Sequence, residues 1–260
     1  MGPVGVWIAL GLSGAIGLSL GLVGGGGSII TVPVLVYVAG VPVRDAVALS
    51  LAIVGATAAI GSAFQARHGQ LAVKPALIFG SAGMAGAVGG ARLTPQVPSA
   101  VLLVLFALLM IAVGVRMLRG RFEAELPARA ECHPGKCLLA GLSVGVLTGF
   151  LGVGGGFLIV PALLRFARLP MRRAVGTSLA IIAANSLSGF LAHVGELAGM
   201  TLLGLSFTAA AVAGVLVGTI LGRRVHPAGL KSAFGGLALV VAAYLMIVNA
   251  APLMALVARL

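Results

Sequence analysis

The sequence is short of charge. Asp, Glu, Lys and Arg make up 8% of its 260 residues, against about 25% in a soluble domain. Acidic residues number five and aromatics reach 5%. So little polar surface cannot cover a globule in water, which excludes an ordinary soluble protein and points to lipid. The two cysteines, Cys132 and Cys137, exclude a disulfide framework, and reduced thiols are the expectation. Together with His133 they place three soft ligands in six residues, but no fourth partner stands nearby, so no metal or other cofactor is expected. Met1 to Val23 carries no Lys or Arg, and therefore no basic region of the kind a cleaved signal peptide has. The stretch reads as part of the mature protein.

What is present is apolar. Hydrophobic residues account for 60% of the chain, mean hydropathy is +1.19 and there are 40 glycines. Glycine at this density suits membrane helices, because it lets backbones approach closely. The net charge of +12 would suggest nucleic acid in a soluble protein. Here the basic residues lie between apolar stretches, so membrane orientation explains them and no nucleic-acid partner is expected.

Long apolar segments fall at Val4–Val23, Asp45–Ala66, Pro75–Leu93, Ser99–Leu118, Cys137–Leu151, Arg173–Val194, Met200–Gly222 and Ala228–Asn249. Most approach the roughly 20 residues that a helix needs to span a bilayer. Two further segments, 29–39 and 157–167, reach only about 16 Å as helices, half a membrane. Each follows a glycine run, Gly24-Gly25-Gly26-Gly27-Ser28 in one case and Gly152-Val153-Gly154-Gly155-Gly156 in the other, and each carries a proline, Pro33 or Pro161.

The two runs are parts of a duplication. At an offset of 128, 18 of the 50 positions from Gly21 to Gln70 are identical without a gap, among them Pro33/Pro161, Pro42/Pro170, Arg44/Arg172 and Ser50/Ser178. The division expected is a first membrane repeat at 1–118, a cytoplasmic linker at 119–136 and a second membrane repeat at 137–260. If each short segment returns the chain to the side it came from, the ends and loops form two sets. One set holds 3 of the 17 basic residues and the other 14. Four plain crossings per half would split them almost evenly. The positive-inside rule therefore favours glycine-tipped hairpins, both termini outside, and halves that are inverted relative to each other. The fold class expected is all-α: a multi-pass membrane protein of two inverted repeats, each with one broken hairpin and three spanning helices.

Paired broken elements in inverted repeats point to a substrate site near the midplane. Glycine turns opening helices present free N–H groups to an anion. Neither run is followed by the Lys-Ser/Thr of a phosphate loop, so nucleotide is not the expected ligand. The candidate substrate residues are Gly25, Gly26, Gly27, Ser28, Ser50, Gly154, Gly155, Gly156, Thr177, Ser178 and Asn185. The glycines have a plainer use in tight helix packing, and the hydroxyls in bonding the preceding helical turn. Asn185 lies inside an apolar span, where it serves as substrate contact or as glue between helices. His193 and Glu196, three apart on one face, are candidates for proton coupling, or else stand in water at the end of the span. Ala82, Gly86 and Gly90, with Ala210, Gly214, Gly218 and Gly222, form small-residue ladders suited to close packing. No nucleophile–base pair or acidic cluster is found within one half, so no enzyme is expected.

The two glycine runs leading to Pro33 and Pro161, with Gly176-Thr177-Ser178-Leu179, resemble the TauE/SafE sulfite exporter family over nearly the whole chain. The resemblance implies a multi-pass bacterial inner-membrane protein that moves sulfite or an organosulfonate, generally outward. The lipid bilayer and a small sulfur-containing anion are then its partners. In the first copy Ala48-Leu49-Ser50 stands where the second has Gly176-Thr177-Ser178, which implies an asymmetric site.

Overall fold

The computed structural model describes residues 3–25, 27, 30–31, 34–38, 40–41, 43–91, 99–119, 134–151, 156–192 and 202–257. Among these the regular structure is helical throughout. The α-helices are α1 (Pro3–Val23), α2 (Val43–Arg67), α3 (Val73–Ala91), α4 (Ser99–Leu118), α5 (Pro134–Leu151), α6 (Gly156–Phe166), α7 (Met171–Ala192), α8 (Leu202–Arg224) and α9 (Pro227–Val257). Three of them, α1, α5 and α9, open on proline, whose fixed φ suits the first helical position and whose missing N–H would have had no helical acceptor there. Three stretches are long and apolar enough to cross a bilayer by themselves: Leu49–Arg67, Gly204–Arg224 and Pro227–Ile247. Large apolar side chains such as Leu77, Leu108, Leu205, Val217, Val240 and Ile247 point outward. In water they would form an aggregating surface; in a bilayer they face lipid tails. The buried polar residues among those described are all neutral.

The expected short segment at 157–167 is α6, an 11-residue helix buried on every side from Gly156 to Leu164. A helix apolar all round belongs at the centre of a bundle, and α6 occupies it. Pro161 within it removes one N–H donor, a defect tolerable in so short an element. The first segment differs. Its described residues are helical at Gly27, Ile30 and Thr31 and form a π-helical turn at Val34–Val38.

Both segments end alike. Val41 N–H donates to Leu35 O at 3.0 Å, with Gly40 at φ +64°. Leu169 N–H donates to Leu163 O at 3.3 Å, with Arg168 at φ +50°. This is the left-handed cap of a helix C-terminus, repeated at the 128-residue offset. Glycine takes the left-handed position in the first copy. An arginine takes it in the second, against the steric preference of L-residues.

The halves are interlocked rather than side by side. The first helix of each half packs along the third span of the other, α1 on α8 and α5 on α3. A Cβ built at Gly17 would overlap the Ala211 carbonyl oxygen, and one at Gly145 would overlap that of Gly83, its counterpart pair at the offset. Gly214 meets Gly14 and Leu18 as Gly86 meets Leu142 and Val146. The small-residue ladders thus lie in backbone contact, as their spacing leads one to expect. Two pairs of corresponding helices, α2/α7 and α4/α9, also pack on each other. In the α2/α7 pair, Gly55 lies against Ser186 and Gly61 against Leu179, so numbers rise along one helix as they fall along the other. In the α4/α9 pair, Leu118 lies against Gly235 and Leu239 against Gly114. Both corresponding pairs are antiparallel.

The basic residues gather at helix ends that touch one another. Arg172 Nη2 donates to Val225 O at 3.3 Å, joining the start of α7 to the end of α8. Gly176 packs on Gln70, in the turn between α2 and α3. The Cys137 sulfur lies 3.7 Å from Phe166 O, setting the start of α5 against the end of α6. Cys137 is disulfide-bonded, which corrects the expectation of reduced thiols. The sequence holds one other cysteine, Cys132, five positions away and outside the described residues. A sulfur held in a disulfide is no thiolate ligand, which removes the basis for a metal there.

Candidate functional site: the meeting of the two glycine turns

The first glycine turn touches the second hairpin. α1 ends at Val23, and Gly24 turns the chain at φ +76° with its N–H donating to Leu20 O at 2.8 Å. A Cβ on Gly25 would overlap the Gly156 carbonyl oxygen and stand 3.1 Å from Phe157 Cα. One on Gly27 would meet Ile16 and Leu20, so the chain folds straight back along α1. Gly25, Gly27 and Gly156 are all buried. These are approaches of backbone to backbone, and side chains would prevent them.

Two hydroxyls at the start of α7 hold this junction. Ser178 Oγ lies 2.6 Å from Gly24 O and 2.8 Å from Val175 O, donating across the halves and within its own helix. Thr177 Oγ1 accepts from Ala72 N at 3.1 Å, capping the backbone that leads into α3. Both residues have no exposed surface. Their oxygens are therefore engaged with protein in this conformation. Gly176 between them and Arg172 lets Gln65 and Gln70 close in from the other side.

Ser50, the counterpart of Ser178, is buried. Thr57, the counterpart of Asn185, donates its hydroxyl to Ile53 O one turn earlier on α2. Asn185 stands beside Ser186, at the α2/α7 crossing. Its side chain is half-buried, and its Oδ1 is buried without a hydrogen-bond donor. The remaining candidates, Gly26, Ser28, Gly154, Gly155, His193 and Glu196, lie outside the described residues.

Sequence reasoning passed over two residues that the fold brings into play. Gly24 opens the run and carries the cross-half hydrogen bond. Gln65 is 5% exposed, packs against Gly176, and its Oε1 is likewise buried without a donor. The signal for Gln65 was a buried amide near the end of a span, where a membrane protein does not waste polarity.

A lipid-facing helical bundle built of interlocked halves, with a short, buried helix at its centre, is the architecture of a membrane transporter. The chain belongs to the TauE/SafE family: the family described as "Sulfite exporter TauE/SafE" matches residues 9–245. A "Probable membrane transporter protein" of Xylella fastidiosa strain Temecula1 is 36% identical over 249 residues, covering 92% of this chain and 94% of that protein. Its equivalent in strain 9a5c is 34% identical over 246 residues, with coverage of 92% and 94%. "Probable membrane transporter protein YdhB" of Bacillus subtilis is 27% identical over 185 residues, covering 70% of this chain and 76% of that one. No solved structure matches the chain.

Proposed function

We propose that the protein carries a small sulfur-containing anion, sulfite or an organosulfonate, out of the cell, by alternating access around the two glycine turns. The observation that carries this reading is the buried approach of Gly25 to Gly156. The first glycine turn and the start of α6, one from each half, meet inside the bundle, where irregular backbone is sheltered from hydrocarbon. Backbone N–H groups at the start of a helix suit an anion better than a cation.

In this reading the halves are inverted repeats, 1–118 and 137–260, joined by a cytoplasmic linker at 119–136. The antiparallel α2/α7 and α4/α9 pairs support it. The basic helix ends face the cytoplasm, both termini face outward, and the membrane is the cell membrane. Substrate sits against the glycine turns 25–28 and 154–156, within reach of Ser50 and Asn185. Thr177 and Ser178 hold the first turn in register when they bond to protein, and become available to substrate as the halves rock. His193 and Glu196 stand as candidates for proton coupling at the end of α7.

Export of radiolabelled sulfite from cells with and without the protein tests the reading. The expected result is faster loss of intracellular label in expressing cells. Unchanged label with abundant protein in the membrane refutes sulfite export, and uptake instead of loss would make the protein an importer using the same site. Tags on the two termini should both be reached from outside; a C-terminal tag protected in intact cells rules out the inverted arrangement.

A further inference from the structure

The Asn185 amide is a polar group with an unmet need. Its Oδ1 is buried and accepts no hydrogen bond. Within an apolar helix packed in the bundle an orphaned carbonyl oxygen is expensive, because neither lipid nor water relieves it. No described residue donates to it, so the donor is sought in whatever enters. The rest of the side chain is half-buried, and a change of conformation in the transport cycle would open the oxygen itself to a small molecule.

Its place in the fold is specific. From the Gly55–Ser186 contact, two residues along each antiparallel helix set Thr57 and Ala184 at one height, one residue from Asn185, the partner of Thr57 at the offset. Thr57 and its repeat partner thus lie at nearly the same height, at the point about which the halves exchange. A site used from both sides of a membrane belongs at such a point. The two halves are not equal there. Thr57 turns its hydroxyl back on Ile53 O, which leaves Asn185 as the polar group presented.

Resting on the transport reading above, we infer that Asn185 selects a monoanion that itself carries an O–H. A carboxamide offers one acceptor and an N–H donor side by side. Its complement is an oxyanion with one protonated and one bare oxygen. Hydrogen sulfite fits: its O–H donates to Oδ1, while Nδ2–H donates to a charged oxygen. The sulfite dianion, sulfate and an alkylsulfonate lack that donor and leave Oδ1 unpaired. The titrating partner is the substrate. Ionisable side chains on the elements packed against α7 are confined to Arg44, Asp45 and Arg67 on α2, Lys74 on α3, Arg165 on α6, and Lys231 and Tyr244 on α9; α1 has none among its described residues. Those on α7 itself, Arg172 and Arg173, lie in its first turn.

Sulfite flux into proteoliposomes, measured across the pH range of the second dissociation of sulfite, tests the inference. For the natural protein, flux should follow the concentration of hydrogen sulfite, and methanesulfonate should compete about tenfold or more weakly than sulfite. Asn185→Leu should lower sulfite flux about tenfold or more, abolish the preference over methanesulfonate, and leave the thermal midpoint unchanged or raised, since an unpaired acceptor has been removed. Flux that follows the dianion, equal competition by methanesulfonate, or a wild-type rate in Asn185→Leu overturns the inference. So does a thermal midpoint that falls by several degrees in parallel with flux, which marks the amide as helix glue. Absence of flux for every sulfur anion in the natural protein refutes the transport reading itself, and the substrate assignment with it.

Discussion

Ser178 Oγ donates to Gly24 O at 2.6 Å, joining the turn after α1 in one half to α7 in the other, 154 residues apart in sequence. The positive φ of Gly24 aims that carbonyl at α7. The motif that suggested a substrate hydroxyl is, in this conformation, the clasp on the glycine turn. Ser178→Ala leaves Gly24 O buried without this partner, which costs about 1–3 kcal/mol. The expected outcome is a thermal midpoint lowered by several degrees in detergent, with flux reduced. An unchanged midpoint contradicts the clasp.

Gly25 and Gly11 make a matched pair of tests. A methyl group at Gly25 has to occupy the space of the Gly156 carbonyl oxygen, with backbone on both sides of the clash. Gly25→Ala should therefore force the two turns apart and abolish flux, even where the protein still reaches the membrane. At Gly11 nothing lies within 4 Å of the added atom. Gly11→Ala, within α1, should keep wild-type flux and gain up to about 1 kcal/mol of helix stability. Flux from reconstituted vesicles, normalised to folded protein, separates the two.

Arg168 holds a backbone conformation that costs a side-chain-bearing residue about 1–2 kcal/mol. Gly40 shows what the same cap looks like without that cost. Arg168→Gly relieves the strain but frees the unfolded chain, so the expected net gain is below about 1 kcal/mol. A small rise in thermal midpoint, measured against Arg168→Ala as the variant that keeps the strain and loses the charge, checks it. A drop in Arg168→Gly larger than in Arg168→Ala contradicts a strained cap.

The sequence made the helices and their pairing in the chain legible. Ser99–Leu118 begins and ends where its apolar run does, and the other spans shift by one to three residues at their ends, except that α9 runs eight residues beyond Asn249 to Val257. The duplication was visible because Pro, Arg and Ser matches do not arise from apolar bias. The ladders were legible too, since small residues every fourth position leave a groove that only another backbone fills. Less legible was which ladder faces which. Gly17 with Ala211 and Gly145 with Gly83 join positions that local pattern cannot connect. Thr177 and Ser178 illustrate a second limit: a hydroxyl near a glycine turn reads the same whether it will bind substrate or a carbonyl 154 residues away. The π turn at Val34–Val38 and the left-handed Arg168 have no signature of their own, since both are imposed by the packing around them. The disulfide at Cys137 was missed because residue counts and compartment rules say nothing about one local pair.

The interlocking of the halves also sets the order of assembly at the ribosome. α1 is made first, but the groove it fills is on α8, completed only after some 200 further residues have entered the membrane. Through that interval its glycine face, Gly14, Gly17 and Gly21, has no helix to lie against. α2 likewise waits for α7, and α4 for α9. Only the α3/α5 pair can close early. Nascent chains of this fold therefore depend on the insertion machinery, or on loosely held lipid, to shield unpaired helices until synthesis is nearly complete.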